Sequence, residues 1–179
     1  MSEGTSSKVL PRLLEPRKLV QLGAVFKGIV PGDLLSRLAD ATVALPQFRA
    51  ELHFVLGDGG ERLMRGKIHG PAVLQCQRCL EPMNYTLSAE FALAVVWDEA
   101  QAMSLPKYLD PWIVTEQEAD LYQILEEELL LSMPVVAYHE HHCIDSKLLS
   151  AGEAVSETSQ QSDNPFDVLK QLKKEQSAD

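Results

Sequence analysis

Between Phe48 and Leu56 the chain alternates: Phe48, Ala50, Leu52, Phe54 and Leu56 are apolar, with Arg49, Glu51, His53 and Val55 between them. Successive side chains of a strand point to opposite faces, so this run predicts a strand with one face on a core. "GDGG" at 57–60 follows and supplies residues able to adopt positive φ, as a tight hairpin requires. "ERLMRGKIHG" then returns, with Leu63 and Ile68 as expected inward residues, and "PAVLQC" reads as a third run. After Cys76 and Cys79, "NYTLSAEFALAVVW" forms a long fourth run in which Tyr85, Leu87, Ala89, Phe91, Leu93 and Val95 alternate. An antiparallel meander follows, with the Cys-x-x-Cys at one of its turns. His53 and His69 stand alone within strands and read as solvent-facing or locally satisfied side chains.

The rest of the chain supplies a strand and a few helices. "AVFKGIV" at 24–30 is β-branched and aromatic enough for a short strand. Pro16 suits a first helical position ahead of Leu19, Val20 and Leu22. Leu34, Leu35, Leu38 and Ala41 fall at helical spacing, predicting a helix over about 32–41. "DEAQAMSLPKYLDPW" reads as a loop. The next helix has two possible starts, Thr115 with Glu118 or Asp120 with Gln123, and Pro134 ends it. Leu121, Ile124, Leu125 and Leu129 form its buried stripe, with Glu126, Glu127 and Glu128 expected to face out. The reading is α+β: a disordered N-terminus over 1–9, one domain over 10–149, a flexible linker over 150–163 and a short helix over 164–174.

Charge narrows the function. The net charge of −10 divides unevenly, +3 over residues 1–70 and −13 over 71–179. A polyanion binder needs a basic surface, because phosphate contacts supply most of its affinity. The second half cannot provide one, so any contact with RNA falls to the first half or to a basic partner protein. An acidic surface also keeps a protein soluble without further meaning. No run of 18 apolar residues exists, and Pro11, Arg12 and Glu15 interrupt the N-terminal region where a signal core would lie. The 3 cysteines are too few for a disulfide framework and fit a reducing compartment. These features predict a soluble, intracellular protein.

Cys76 and Cys79 admit three readings: a metal knuckle, a redox dithiol, or metal-free structural thiols. A redox pair sits at a helix N-terminus, whereas here Glu81, Pro82 and an alternating β run follow. Zinc needs four ligands, usually Cys and His. The third cysteine, Cys143, lies beside His139, His141 and His142. His139 is the favoured fourth ligand, because four residues leave room for a bend, while neighbours such as His142 and Cys143 rarely reach one ion together. A closed set of Cys76, Cys79, Cys143 and His139 would be structural. No nucleophile–base pair, phosphate loop or carboxylate dyad stands out.

Four segments together resemble a known family: "FKGIV" (26–30) ahead of a helix, "CQRCLEPM" (76–83) after a strand, "EADLYQILEEELLLSMPVVAYHEHHC" (118–143), and "NPFDVLKQLK" (164–173). In this order and spacing they resemble YceD, the bacterial large ribosomal RNA subunit accumulation proteins, across roughly residues 8–174. The resemblance implies a non-enzymatic, cytoplasmic factor supporting synthesis, processing or accumulation of large-subunit (23S) ribosomal RNA. It implies partners among large-subunit precursors, as ribosomal protein or rRNA, with no membrane and no small-molecule substrate. Some relatives carry two further cysteines in the second block, which points to zinc; this chain has one Cys and several His there. With a binding function, Arg49, Arg62, Arg65, Lys67 and Arg78 are the candidate rRNA-facing residues. Arg78 could equally shape the turn by pairing with Glu81. Phe166 and Leu169 form the apolar stripe of the last helix, which would dock on this domain or on a partner. The alternative functions are a zinc-stabilised protein-interaction module and a thiol- or metal-dependent enzyme.

Overall fold

A computed structural model describes residues 8–145. The expected linker over 150–163 and the expected last helix with Phe166 and Leu169 lie outside these residues, as do residues 1–7. The architecture is α+β: strands, mostly antiparallel, with a few helices.

Four long strands form the expected meander: β2 (Val25–Pro31), β3 (Gln47–Leu56), β4 (Arg62–Gln75) and β5 (Pro82–Val96), antiparallel in chain order. Glycine chemistry closes the β3–β4 turn: Gly57 N–H donates to Glu61 O (2.7 Å), and Gly60 takes a φ of +85°. A short strand, β6 (Asp110–Ile113), lies parallel on the outer edge of β5, reached through a helix, α3 (Glu99–Ser104). Both lie wholly or partly in the stretch read as a loop. A parallel neighbour needs a crossover, and the Asp98 side chain starts that crossover by accepting from Gln101 N–H (2.8 Å).

Two runs expected to be separate are one strand. β4 passes straight through Pro71, pairing with β5 from Leu63↔Ala94 to Gln75↔Pro82. Proline is tolerated there because β3 has already stopped pairing, its last partner being Arg49↔His69. Leu63 and Ile68, both expected inward, are five residues apart and so face opposite sides. Ile68 joins the main core, while Leu63 joins a small cluster with Ala94 and Leu109 on the other face.

The inner face carries Phe48, Leu52, Phe54, Met64, Ile68, Leu87 and Leu93. Helix α4 (Leu121–Leu131) closes it with Leu121, Leu125 and Leu129. Of its two possible starts the second is used: Asp120 caps it, its Oδ1 accepting from Tyr122 N–H (2.9 Å) and Gln123 N–H (3.2 Å). Helix α1 (Pro16–Leu22) begins at its proline as expected, ends at Gly23 in the left-handed region, and buries Val20. Strand β1 (Leu13–Leu14) pairs with β7 (Ala119–Asp120) in a second small sheet. Lys8 and Leu10, at the edge of the stretch read as unstructured, bond to Ile29 through Lys8 O and Leu10 N–H (both 2.9 Å).

The helix expected over 32–41 is divided. A single 3-10 turn (Gly32–Leu34) precedes α2 (Ser36–Asp40), with Leu35 between them at φ −105° and ψ 77°. Backbone packing decides this. A Cβ at Gly32 would strike the carbonyl of Leu45, and Leu35 must turn into the core, where it is fully buried. Glu126 corrects another expectation. It is only 6% exposed, and its carboxylate accepts from Leu38 N–H (3.1 Å), capping α2 from a different helix.

Candidate metal centre

Beyond the end of β3 pairing, strands β4 and β5 continue as an arm whose β4 edge is held only by a bridge from Ala44 to Val73 (Val73 N–H to Ala44 O, 2.9 Å), and the cysteine turn is its tip. Cys76 N–H donates to Glu81 O (3.0 Å) and Leu80 N–H donates to Cys76 O (2.9 Å), folding six residues back on themselves. The reversal forces Leu80 to a φ of +63°, the one non-glycine residue with positive φ among those described. This geometry turns backbone N–H groups of Arg78 and Cys79 toward Cys76 Sγ.

The second half of the site follows α4. After Pro134 the chain runs back to the arm without regular structure. Gln77 N–H donates to Ala137 O (2.8 Å), and Arg78 Nη2 donates to His139 O and to His141 O (2.9 Å for the second). These bonds bring His139 and Cys143 against a turn some sixty residues earlier in the chain: Cys79 and His139 are 60 residues apart, Cys76 and Cys143 are 67.

The four expected ligands converge. Cys76 Sγ, Cys79 Sγ, a ring nitrogen of His139 and Cys143 Sγ all lie within 4.8 Å of one another. A tetrahedral ion with bonds of about 2.3 Å to sulfur and about 2.05 Å to nitrogen requires S···S near ~3.8 Å and S···N near ~3.6 Å. Cys76 Sγ to Cys143 Sγ is 3.7 Å, and Cys79 Sγ to His139 Nδ1 is 3.4 Å. The sulfur–sulfur distance far exceeds a covalent S–S bond of about 2.05 Å, and all three cysteines are free. Three sulfurs and one imidazole are a borderline-soft donor set that suits zinc above hard cations such as calcium or magnesium. The residues present therefore fit the group.

Electrostatics favour ligation over thiol chemistry. Burial alone would push the Cys76 thiol up. Hydrogen bonds from the backbone of Cys79, Arg78 and His139, and from the Cys79 side chain, outweigh it and bring Cys76 down from the ordinary value to about 5. Cys143 moves the other way, raised by burial and then by its bonding to Cys79 and Cys76. A depressed thiol is nucleophilic only where a substrate reaches it, and Cys76 has 0% exposure. The turn also runs into a strand, without the helix N-terminus that a redox dithiol uses.

The other candidate residues do not gather here. Arg65 and Lys67 lie exposed on the outer face of the sheet, which no described helix covers at that point, with Arg49 on the neighbouring strand. Lys67 is paired to Glu90 (3.0 Å) and Lys27 to Glu51 (2.8 Å), both ion pairs exposed. A shallow groove of about 810 Å³ runs over this face between His53, Arg65, Lys67 and Ala92. Arg62, three residues before Arg65 on the same strand, falls on the alternate side. Arg78 belongs to the cysteine site, held by carbonyls rather than by Glu81. The spacing of residues could not announce those two carbonyls, because main-chain oxygens are common to every sequence.

A family profile described as "Large ribosomal RNA subunit accumulation protein YceD" matches residues 64–173. A protein of Haemophilus influenzae named "Large ribosomal RNA subunit accumulation protein YceD" is 34% identical over 167 residues, covering 92% of this chain and 96% of its own. No solved structure matches the chain. The profile spans the cysteine turn, α4 and the His-rich segment, and the relative spans nearly everything else, so the chain belongs to the YceD family.

Proposed function

We propose that the protein is a non-catalytic cytoplasmic factor that supports accumulation of large-subunit (23S) ribosomal RNA by binding its precursor particles, with the four-ligand cluster holding zinc as a structural centre. The name of its relative supports the biological role. One observation carries the mechanism: three thiol sulfurs and an imidazole nitrogen lie within 4.8 Å of one another, enough donors to fill a tetrahedral site. Such a site leaves no open position for substrate or water. Zinc there would supply cross-linking alone, joining two distant stretches of chain. Cys76 and Cys79 hold the tip of the arm, and His139 and Cys143 hold the segment after α4.

Binding is assigned to the surfaces. The open sheet face presents Arg49, Arg65 and Lys67 toward RNA phosphates, while the acidic second half of the chain receives a basic ribosomal protein. Charge of this kind mainly speeds encounter and selects partners. No described helix is long and apolar enough to cross a membrane, in keeping with a cytoplasmic site of action.

Affinity purification from bacterial lysate at low and at high salt tests the reading. The wild type should enrich large-subunit precursor rRNA or ribosomal proteins at low salt, and less at high salt. An Arg65→Glu, Lys67→Glu double variant should lose the rRNA. If neither class is enriched at low salt, the binding role fails.

A further inference from the structure

We propose that Arg78 is the positioning residue of the metal centre, its guanidinium Nη2 fastening the His139–Cys143 segment onto the cysteine turn while its charge offsets that of a three-thiolate site. The inference rests on the reading of the cluster as a metal centre and assigns the side chain that assembles it.

The segment carrying His139 and Cys143 has no helix or strand to fix it. A ligand on irregular backbone binds weakly unless a neighbouring group holds its orientation. Arg78 supplies that hold. It sits between the two cysteines of the turn, and its Nη2 donates to both His139 O and His141 O. The two carbonyls flank Glu140, so a single nitrogen fixes the bend that presents the His139 ring to Cys79. Across the bend, the His139 and His141 rings lie 4.9 Å apart at 38°. The guanidinium also lies 5.0 Å from the centroid of the Tyr138 ring, within cation–π range. Gln77 N–H to Ala137 O completes the tie between turn and segment.

Charge gives a second reason for a cation here. Three thiolates and a neutral imidazole around a divalent ion leave a net charge of −1 on the centre. Buried anionic charge is costly without a counter-charge nearby. The Arg78 Nε is buried and has no hydrogen-bond partner, itself a cost, and a position beside a net-negative centre offsets it. Lysine would keep the charge, but its compact ammonium has no plane to lie over Tyr138.

Cobalt substitution tests the assignment. The full-length chain, stripped of metal under reducing conditions, is titrated with Co²⁺, and Zn²⁺ affinity is then read by competition. The wild type should show the thiolate-to-cobalt charge-transfer and tetrahedral visible bands. Arg78→Ala should reach the same spectrum at saturation with affinity lower by about 10–100-fold and faster release to a chelator. Arg78→Lys should fall between the two. An Arg78→Ala affinity equal to the wild type overturns the proposal while leaving the metal centre intact. A wild type without tetrahedral cobalt bands overturns the metal centre, and this proposal with it. Far-UV circular dichroism shows whether Arg78→Ala keeps its sheet. If it does not, Arg78→Lys decides, because affinity equal to the wild type would show that the guanidinium is not needed.

Discussion

Glu126 and Glu127 stand side by side on α4 and differ in what they contribute. Glu127 meets Arg37 at 3.4 Å with both side chains half open to water, an arrangement worth at most about 1 kcal/mol. Glu126 is buried and holds an otherwise orphaned N–H of α2. A buried hydrogen bond to a charged group is worth about 1.5–3 kcal/mol, so Glu126→Ala should lower unfolding stability by that amount in urea titration, against under 1 kcal/mol for Glu127→Ala. Glu128, the third of the run, has its carboxyl raised above the ordinary value by burial and then by Asp110 and Glu127. A raised acid favours the folded state fully only while protonated, and that contribution is lost as pH rises through its folded value. Glu128→Gln should therefore resist urea better than the wild type at neutral pH. The two should converge as pH falls below the ordinary carboxylate value of 4.5. Sequence periodicity assigned all three glutamates to water, because a helical pattern shows which side is apolar and says nothing of an N–H waiting on a neighbouring helix.

At the scale of elements, two backbone positions invite substitution in opposite directions. Leu80 is strained at positive φ and 63% exposed, so its side chain adds little burial. Leu80→Gly should raise stability by about 1 kcal/mol, the relief of a left-handed non-glycine residue less the entropy of added glycine. Gly66 is the reverse. A Cβ there would overlap the Phe91 ring and meet Leu52 Cδ2 at 3.0 Å, so Gly66→Ala should cost about 1–3 kcal/mol in denaturant unfolding. The elements most legible in sequence were those set by their own pattern: β3 by alternation, its hairpin by glycine, α1 by Pro16. Those misread were set by neighbours. Pro71 looked like a break because the sequence does not show that β3 has already stopped pairing beside it. The helix over 32–41 looked continuous because the carbonyl of Leu45 pressing on Gly32 lies thirteen residues away in the chain. Strand β6, four residues long and exposed over three of them, has no pattern to read.

For the molecule as a whole, the main core runs up to the candidate metal centre. It spans the inner face of the sheet, α1, α2 and α4, and extends through Leu74, Met83 and Ala137 toward the turn where the four ligands gather. The β4–β5 ladder that ends at this turn is closed by its own backbone pairing, without the ligands. Chelation under reducing conditions should thus leave far-UV circular dichroism nearly unchanged while exposing three thiols to Ellman's reagent that are protected in the metal-loaded protein. Global loss of structure on chelation would show instead that the arm is needed for the sheet. The ligand set was readable because the three cysteines and three of the five histidines crowd into two places; how those places are held together was not, since it depends on main-chain oxygens.

The span between the two halves of the cluster also bears on how the protein is made. His139 and Cys143 are 60 and 67 residues downstream of their partners Cys79 and Cys76. At about 5–20 residues per second, translation delivers the second half roughly 3–14 s after the first. Through that interval the nascent hairpin carries a pair of unguarded sulfurs, open to oxidation or to the wrong ion. The polypeptide becomes chemically safe only once Cys143 has left the ribosome.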